Sequence, residues 1–309
     1  MRFYMQNYDL IIIGGGPGGI TAGIYAKRAG LNVAIIEKSL PGGTLNNTFE
    51  VSNYTGFDSV SGSFLAEKMF SHLNSFEIPF VTDEVKEVSL DGDQKIVKCY
   101  HETYTCKAVI LALGAQVRRL NATNEKKFLG KGVSYCATCD GNFFKGKDVA
   151  IVGAGNTAIE DGIYLSNIVR KLYIIHRRDR FTGESYLVER LKKCKNIELV
   201  FDSEICDLKG ENALEQIVVR NIASGERRTL DACGLFICIG RGPDTSILNF
   251  EVEKDQMGYI VTDQFMKTSV DGVYAVGDIR NTPLRQIVTA CADGAIAATK
   301  CFEYIRKKS

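Results

Sequence analysis

Tyr8-Asp-Leu-Ile-Ile-Ile-Gly14-Gly-Gly-Pro-Gly-Gly19 sets an apolar run directly against a glycine-rich turn. Ile20 to Ala29 continues with helix-compatible apolar spacing, and Leu31 to Ile36 is a second apolar run closed by Glu37. The order is strand, turn, helix, strand, with an acid at the end of the second strand. Each glycine has a mechanical reason. Gly14 permits the tight turn, Gly16 lets the backbone approach a pyrophosphate, and Gly19 lets helix and strand pack closely. The phosphates then meet the unpaired N–H groups of the helix start. Glu37 is placed to accept hydrogen bonds from ribose hydroxyls.

The pattern recurs. Asp148 to Val152 is a strand run, Gly153-Ala-Gly-Asn-Thr-Ala158 is the turn, Thr157 to Ile168 has helical spacing, and Lys171 to Ile175 is the next strand. Ala158 stands where the third glycine is replaceable by alanine. His176 occupies the place of Glu37, 23 positions after the first glycine in both cases, and Arg177 and Arg178 follow it. A carboxylate suits a free ribose diol and repels a 2′-phosphate, whereas guanidiniums bind that phosphate with charge-assisted bonds. Each such bond contributes on the order of 1.5–3 kcal/mol, so two separate NADPH from NADH by ~10²-fold or more. A solvated basic face is the plainer reading of Arg177 and Arg178.

With 309 residues the chain has room for about two domains. Apolar content of 45% and charged content of 24% are ordinary for a soluble globular protein that buries a sizeable core. A net charge of +1 gives no bulk attraction to nucleic acid or to an anionic membrane. No apolar stretch approaches the roughly 20 residues that span a bilayer. Met1 to Asn7 precede the first strand, too few for a signal peptide. The ten cysteines sit mostly in apolar runs, as Cys233 and Cys238 do, and do not read as a secreted disulfide framework. A cytoplasmic location is the expectation.

Cys136-Ala-Thr-Cys139 lies between the two turns and is followed by Asp140 and Gly141. Two intervening residues let both sulfurs meet across one helical turn. A thiol at a helix start has its thiolate stabilised, and Asp140 is placed to exchange the proton. Zinc normally takes four ligands, and no second Cys-x-x-Cys or Cys/His pair stands at metal spacing, so no metal is expected. Two unrelated buried cysteines stand as the alternative to a redox pair, and helix capping as the alternative for Asp140.

Together these features resemble the low-molecular-weight (bacterial-type) thioredoxin reductase family across essentially the whole chain. The carrying motifs are Gly14 to Gly19, Ser134-Tyr-Cys-Ala-Thr-Cys-Asp-Gly141, Gly153 to Ala158, His176-Arg-Arg-Asp179, Gly277-Asp-Ile-Arg280, Arg285-Gln-Ile-Val-Thr-Ala290 and Asp293-Gly-Ala-Ile-Ala-Ala298. The resemblance implies an α/β fold of two Rossmann-like, three-layer nucleotide-binding domains, the second inserted into the first. Residues 1–116 and 246–309 would bind FAD. Residues 117–245 would bind NADPH and carry the redox disulfide. Polar segments Gln116 to Asn121 and Arg241 to Ser246 are the expected crossings.

For FAD the resemblance implies Gly14, Gly16, Pro17, Gly19, Glu37, Lys38, Gly43, Thr44, Asn53 and Gly114. It adds Asp278 at the ribityl-phosphate region, and Arg285, Gln286 and Ile287 beside the flavin. For NADPH it implies Gly153, Gly155, Asn156, Thr157, His176, Arg177, Arg178 and Arg180. Cys139 would face the flavin and Cys136 would attack the disulfide of thioredoxin, the protein substrate. Phe143 and Phe144 would contact thioredoxin or, on the plainer reading, sit in the core. A rotation of the NADPH domain and a homodimer are further family expectations. The pair's potential is expected at or below the roughly −270 mV of thioredoxin.

Four positions depart from the family's usual pattern. Thr182 stands where an arginine is frequent, with Arg180 two residues earlier. Ala112-Leu113 replaces Ala-Thr, Thr44 replaces a glutamine after Gly42-Gly43, and Arg241 replaces a histidine. Rival readings are a reductase of another protein disulfide, a ferredoxin-fed reductase and a non-catalytic flavin sensor.

Overall fold

The computed structural model describes residues 6–48 and 50–308. Met1 to Met5, most of the short N-terminus read above as too brief for a leader, lie outside the described residues. The chain folds as two compact units, Met1–Gln116 with Gly242–Ser309, and Val117–Arg241.

The first unit opens with β1 (Gln6–Ile13), α1 (Pro17–Arg28), β2 (Val33–Glu37), α2 (Gly62–Asn74) and β3 (Phe80–Thr82). The hairpin β4 (Val85–Asp91) and β5 (Gln94–Cys99) leads into β6 (Thr103–Leu111). β1 lies between parallel neighbours, β2 and β6, so its backbone is paired on both edges. From Leu10 to Ile13 its side chains are buried on both faces, which explains an apolar run without polar alternation. Leu10 and Ile12 enter one core with Ala22, Ile24 and Ala297. Ile11 and Ile13 enter another with Val88, Val97 and Val252. One strand therefore feeds two cores, and the unit has three layers. Burying each such isoleucine contributes about 1.5–3 kcal/mol.

A first crossing, β7 (Gln116–Val117), leads to α3 (Glu125–Phe128), β8 (Val133–Ser134) and α4 (Ala137–Asp140). Then come β9 (Asp148–Val152), α5 (Asn156–Ser166), β10 (Lys171–Ile175), α6 (Ser185–Leu191) and β11 (Ile197–Val200). The meander β12 (Ser203–Lys209), β13 (Gln216–Asn221) and β14 (Arg227–Asp231) precedes β15 (Gly234–Ile237). The parallel sheet runs β11-β10-β9-β15-β8. Its strands also feed two cores. Val149 and Ile151 pack with Ile159 and Leu165 of α5, while Ala150 and Val152 pack with Ile217, Val219 and Leu230 of the meander.

The return crossing, β16 (Arg241–Gly242), pairs with β7. The chain then completes the first unit with β17 (Val273–Ala275) and α7 (Ile287–Lys308). β17 adds to the same sheet in parallel with β6, Val273 opposite Val109. α7 lies on α1 at backbone contact. A Cβ on Gly294 would stand 2.2 Å from the Gly18 carbonyl oxygen, and one on Gly18 3.0 Å from the Ala290 oxygen.

Candidate active site

The first cradle is built at the carboxyl ends of β1 and β2. Gly14 has φ +110°, and a Cβ there would lie 2.2 Å from the Ala112 carbonyl oxygen. A Cβ on Gly19 would lie 1.9 Å from the Gly14 oxygen, whereas one on Gly16 would meet nothing within 4 Å. The turn is therefore closed on the sheet side and open at Gly16. Pro17 takes the first position of α1, where its missing N–H costs nothing. Glu37 is already engaged: Oε2 accepts from the Gly15 N–H at 2.7 Å and Oε1 from the Ser39 N–H at 2.9 Å. Those bonds use two of its roughly four lone-pair sites. Lys38 beside it is exposed.

Gly42 and Gly43 lie against this turn, and the other expected residues belong to the same unit. The Gly42 N–H donates to the Gly15 carbonyl at 2.7 Å, and Gly43, φ +55°, lies against Gly16. Thr44 is exposed in the 3-10 turn Gly43–Asn47, its carbonyl accepting from the Thr48 hydroxyl at 3.1 Å. The Asn53 amide donates to Gln286 Oε1 at 3.1 Å. Gly114, φ +65°, follows β6. Asp278 sits in the 3-10 turn Gly277–Ile279. The Gly277 N–H donates to Asp293 Oδ2 at 3.0 Å, and Arg280 pairs with that carboxylate at 3.2 Å with both side chains largely buried. Ile287 starts α7 and packs on the Leu45–Val51 cluster. Arg285 lies over the Tyr259 ring, 3.9 Å from its centroid. Its Nε is buried without a hydrogen-bond partner. A buried orphan donor costs about 1–3 kcal/mol unless an acceptor arrives. Tyr259 had no signal in the sequence, because nothing in its spacing points at Arg285.

The second cradle repeats the turn. Gly153 has φ +139°, its missing Cβ would stand 2.1 Å from the Cys238 carbonyl oxygen, and Gly155 opens onto free space. Asn156 begins α5 and is locked to Glu184 by two bonds, Asn156 Nδ2 to Glu184 Oε1 and the Glu184 N–H to Asn156 Oδ1, both 2.8 Å. Thr157 is exposed on the same turn. Thr182 is a strut: its N–H (2.9 Å), its hydroxyl (3.2 Å) and the Gly183 N–H (3.1 Å) all donate to the Ala154 carbonyl. His176 Nε2 is buried without a partner. Burial, then the charges of Arg178 and Arg177, hold its imidazole below the usual histidine range. Arg177, Arg178 and Arg180 are exposed and form no ion pair among the described residues.

Behind this cradle the Cys238 thiol donates to Asp161 Oδ2 at 3.3 Å. Burial pushes the Asp161 carboxyl up to about 6, against the Cys238 bond and the charge of Arg241. By position along the two turns, Asp161 corresponds to Ala22 and Cys238 to Ala112, the carbonyls of the latter two backing Gly153 and Gly14 alike.

Cys136 and Cys139 form a disulfide, with Cα atoms 5.4 Å apart. Cys136 is the N-cap of α4, and its Sγ accepts the Cys139 N–H at 3.2 Å. The Ser134 hydroxyl accepts from the Cys136 N–H at 3.0 Å and donates to its carbonyl at 3.3 Å. The two sulfurs are thus bonded to each other and not separately buried. Asp140 closes the first turn of α4 and makes no side-chain bond to cap the turn that follows. The two phenylalanines separate: Phe143 is 74% exposed, while Phe144 packs edge-on against Phe236 with ring centroids 5.5 Å apart.

The pyridine nucleotide-disulphide oxidoreductase family profile matches residues 8–294. The chain is 40% identical over 304 residues to a 34.2 kDa protein of the rubredoxin operon of Clostridium pasteurianum, covering 98% of this chain and 99% of that one. It is 41% identical over 309 residues to the thioredoxin reductase of Peptoclostridium acidaminophilum, covering 97% of this chain and 98% of that one. The crystal structure of Lactococcus lactis thioredoxin reductase superposes with a TM-score of 0.94 at 34% identity, covering 97% of this chain and 99% of that one. Thioredoxin reductases of this family use FAD and NADPH. The family match over most of the chain and the full-length similarity place the chain in the pyridine nucleotide-disulphide oxidoreductase family, among its thioredoxin reductases.

Proposed function

We propose that the chain reduces the thioredoxin disulfide at the expense of NADPH, through FAD and the Cys136–Cys139 pair. The observation that carries this is the disulfide at the start of α4, in the same unit as the Gly153 cradle. The unit of residues Met1–Gln116 with Gly242–Ser309 would hold FAD. There the open side of Gly16 suits the pyrophosphate, Glu37 the ribose, and the orphan Arg285 Nε a flavin acceptor. In Val117–Arg241, Gly155 and the start of α5 suit the second pyrophosphate. Arg177, Arg178 and the orphan His176 Nε2 suit a 2′-phosphate, with Arg180 as an accessory cation.

Bound flavin supplies the relay of two electrons between the nucleotide and the disulfide. The protein handles sulfur and proton. Opening the disulfide takes two electrons and two protons, one carried by the hydride and one from solvent, and Asp140 is the group placed to hand it over. Cys136 then attacks the thioredoxin disulfide, and the resulting mixed disulfide is resolved by Cys139, which restores the internal bond and releases reduced thioredoxin. Nicotinamide and disulfide would sit on one unit yet serve one flavin in turn, so the two short crossings would work as hinges for a rotation. We place this chemistry in the cytoplasm and in a homodimer.

The test is steady-state kinetics with purified thioredoxin and NADPH or NADH, alongside Cys136→Ser. NADPH turnover with loss of thioredoxin reduction by the variant, its flavin colour intact, is the expected outcome. Normal turnover by Cys136→Ser would sink the proposal. Turnover only with reduced ferredoxin would move the donor away from NADPH.

A further inference from the structure

Glu125 is 6% exposed and is the first residue of α3, a few residues inside the first crossing. Its carboxylate has three donors. Oε1 accepts from the Leu120 N–H at 3.3 Å and from the Tyr135 hydroxyl at 2.5 Å, and Oε2 accepts from the Asn121 N–H at 2.6 Å. Tyr135 is the residue immediately before Cys136. One buried carboxylate thus holds both the incoming backbone of the crossing and the arm that carries the redox pair. Nothing in the redox chemistry requires that connection.

The geometry leaves little slack on either side. Asn121 and Asn124 both sit in the left-handed region, φ +59° and +66°. Such conformations cost of order 1–3 kcal/mol and persist only where surroundings over-determine them. Glu125 holds Asn121, and the Asn124 amide is held by Asp207 Oδ1 at 3.1 Å and the Leu208 carbonyl at 3.0 Å. On the other side Ser134 clamps Cys136 by its N–H and carbonyl. Tyr135 remains a donor through the neutral range. Burial, then the Glu125 bond and charge, push its hydroxyl up to about 12, against the opposing charge of Arg119.

We infer that Glu125 and Tyr135 are positioning residues that couple the redox state of the Cys136–Cys139 pair to the backbone of the first crossing at Leu120 and Asn121. The inference rests on the pair being the working disulfide. While the disulfide is closed, Cys136 is tethered from both ends and Tyr135 is held on Glu125. When the bond opens, the arm loses its covalent tie and the Tyr135 bond loosens, so the crossing is released as the pair is reduced. Coupling is reciprocal: holding Tyr135 on Glu125 keeps Cys136 at the position that closes the disulfide, which favours the oxidised pair.

Hydrogen exchange of the peptide covering residues 118–124 in the flavin-loaded enzyme, oxidised and then dithiol-reduced, tests this. In the unmodified protein the Leu120 and Asn121 amides are expected to exchange about fivefold faster after reduction. Tyr135→Phe removes one hydroxyl from an otherwise unchanged ring and is expected to abolish that difference. It should also weaken disulfide closure three- to tenfold, raising the pair's potential by about 14–30 mV at 29.6 mV per decade. Glu125→Gln should act in the same direction. Should it fail to fold, Tyr135→Phe decides alone. Exchange indifferent to redox state, or a Tyr135→Phe variant with the original potential and redox-dependent exchange, would overturn the coupling. An active Cys136→Ser variant would instead overturn the reading of the pair itself.

Discussion

The two cradles share a backbone and differ in what surrounds it. Both turn on a glycine whose missing Cβ would strike the neighbouring strand's carbonyl, at 2.2 Å for Gly14 and 2.1 Å for Gly153. Both open on the far side at Gly16 and Gly155. Beyond the turn they diverge. The first ends on a carboxylate already bonded to its own turn, the second on an orphan imidazole beside exposed guanidiniums. The first has alanine at Ala22 and Ala112, the second a carboxyl and a thiol at Asp161 and Cys238. On the function proposed above, the turn would make a phosphate site and the flanking charges would decide which nucleotide it takes.

The sharpest break in that comparison is at the third small residue. Gly19→Ala puts a Cβ 1.9 Å from the Gly14 oxygen, so backbone must move, at a cost of roughly 1–3 kcal/mol or more. Flavin absorbance per protein should fall to a small fraction of the original. Ala158→Gly, the reciprocal change, should lower thermal stability only by the equivalent of about 0.5–1 kcal/mol and leave the flavin in place. Next, replacing Arg177 and Arg178 by alanine should cut the NADPH-over-NADH ratio of kcat/KM by ~10²-fold. The flavin should be untouched, and an unchanged ratio would make the doublet a solvated face. Thr182→Arg removes the hydroxyl bond to Ala154, leaving the two backbone bonds, while adding a cation. It should raise the same ratio by less than tenfold, about the net value of one exposed charge contact.

Glu37→Gln keeps the shape and removes the charge. Loss of a charge-assisted acceptor for the Gly15 N–H should weaken flavin retention by roughly 1–2 kcal/mol, read as a shift in the dissociation curve. A different kind of break is a pH dependence. The Asp161 carboxyl is raised to about 6 from an ordinary 3.8, so the folded state holds that proton more tightly. Its stabilising contribution is complete below about pH 4 and is lost as pH rises through 6. Asp161→Asn should therefore raise Tm at pH 7.5 relative to the unmodified protein and change it little at pH 4.5.

Sequence spacing located what is local. Strand, turn and helix around Gly14 and Gly153 follow from side chains that meet within one βαβ stretch, and the cysteine pair from a spacing of one helical turn. Long-range pairings left no such mark. Tyr259 under Arg285 and Asp161 against Cys238 each join residues whose meeting depends on the finished fold. A buried carboxyl looks the same in a sequence as an exposed one. Family resemblance implied that the C-terminal third returns to the first unit, but not that β17 joins its sheet, since three residues, Val273–Ala275, carry too little pattern to announce a strand. Phe143 and Phe144 read alike as neighbours, and only packing assigned one to solvent and one to the core.

The position of α7 has a consequence for how the protein is made. The second unit is one continuous stretch, Val117–Arg241, and has all its strands once that stretch has left the ribosome. The first unit waits for α7, whose Gly294 abuts Gly18 beside the phosphate turn. Its first helix therefore spends the synthesis of more than two hundred residues without its partner, exposing Ala22 and Ile24 to chaperones or to aggregation. If the first unit holds FAD as proposed, flavin capture would follow the arrival of α7. A chain cut before Ile287 should leave a folded nucleotide-binding insert hung on an unfinished, colourless first unit.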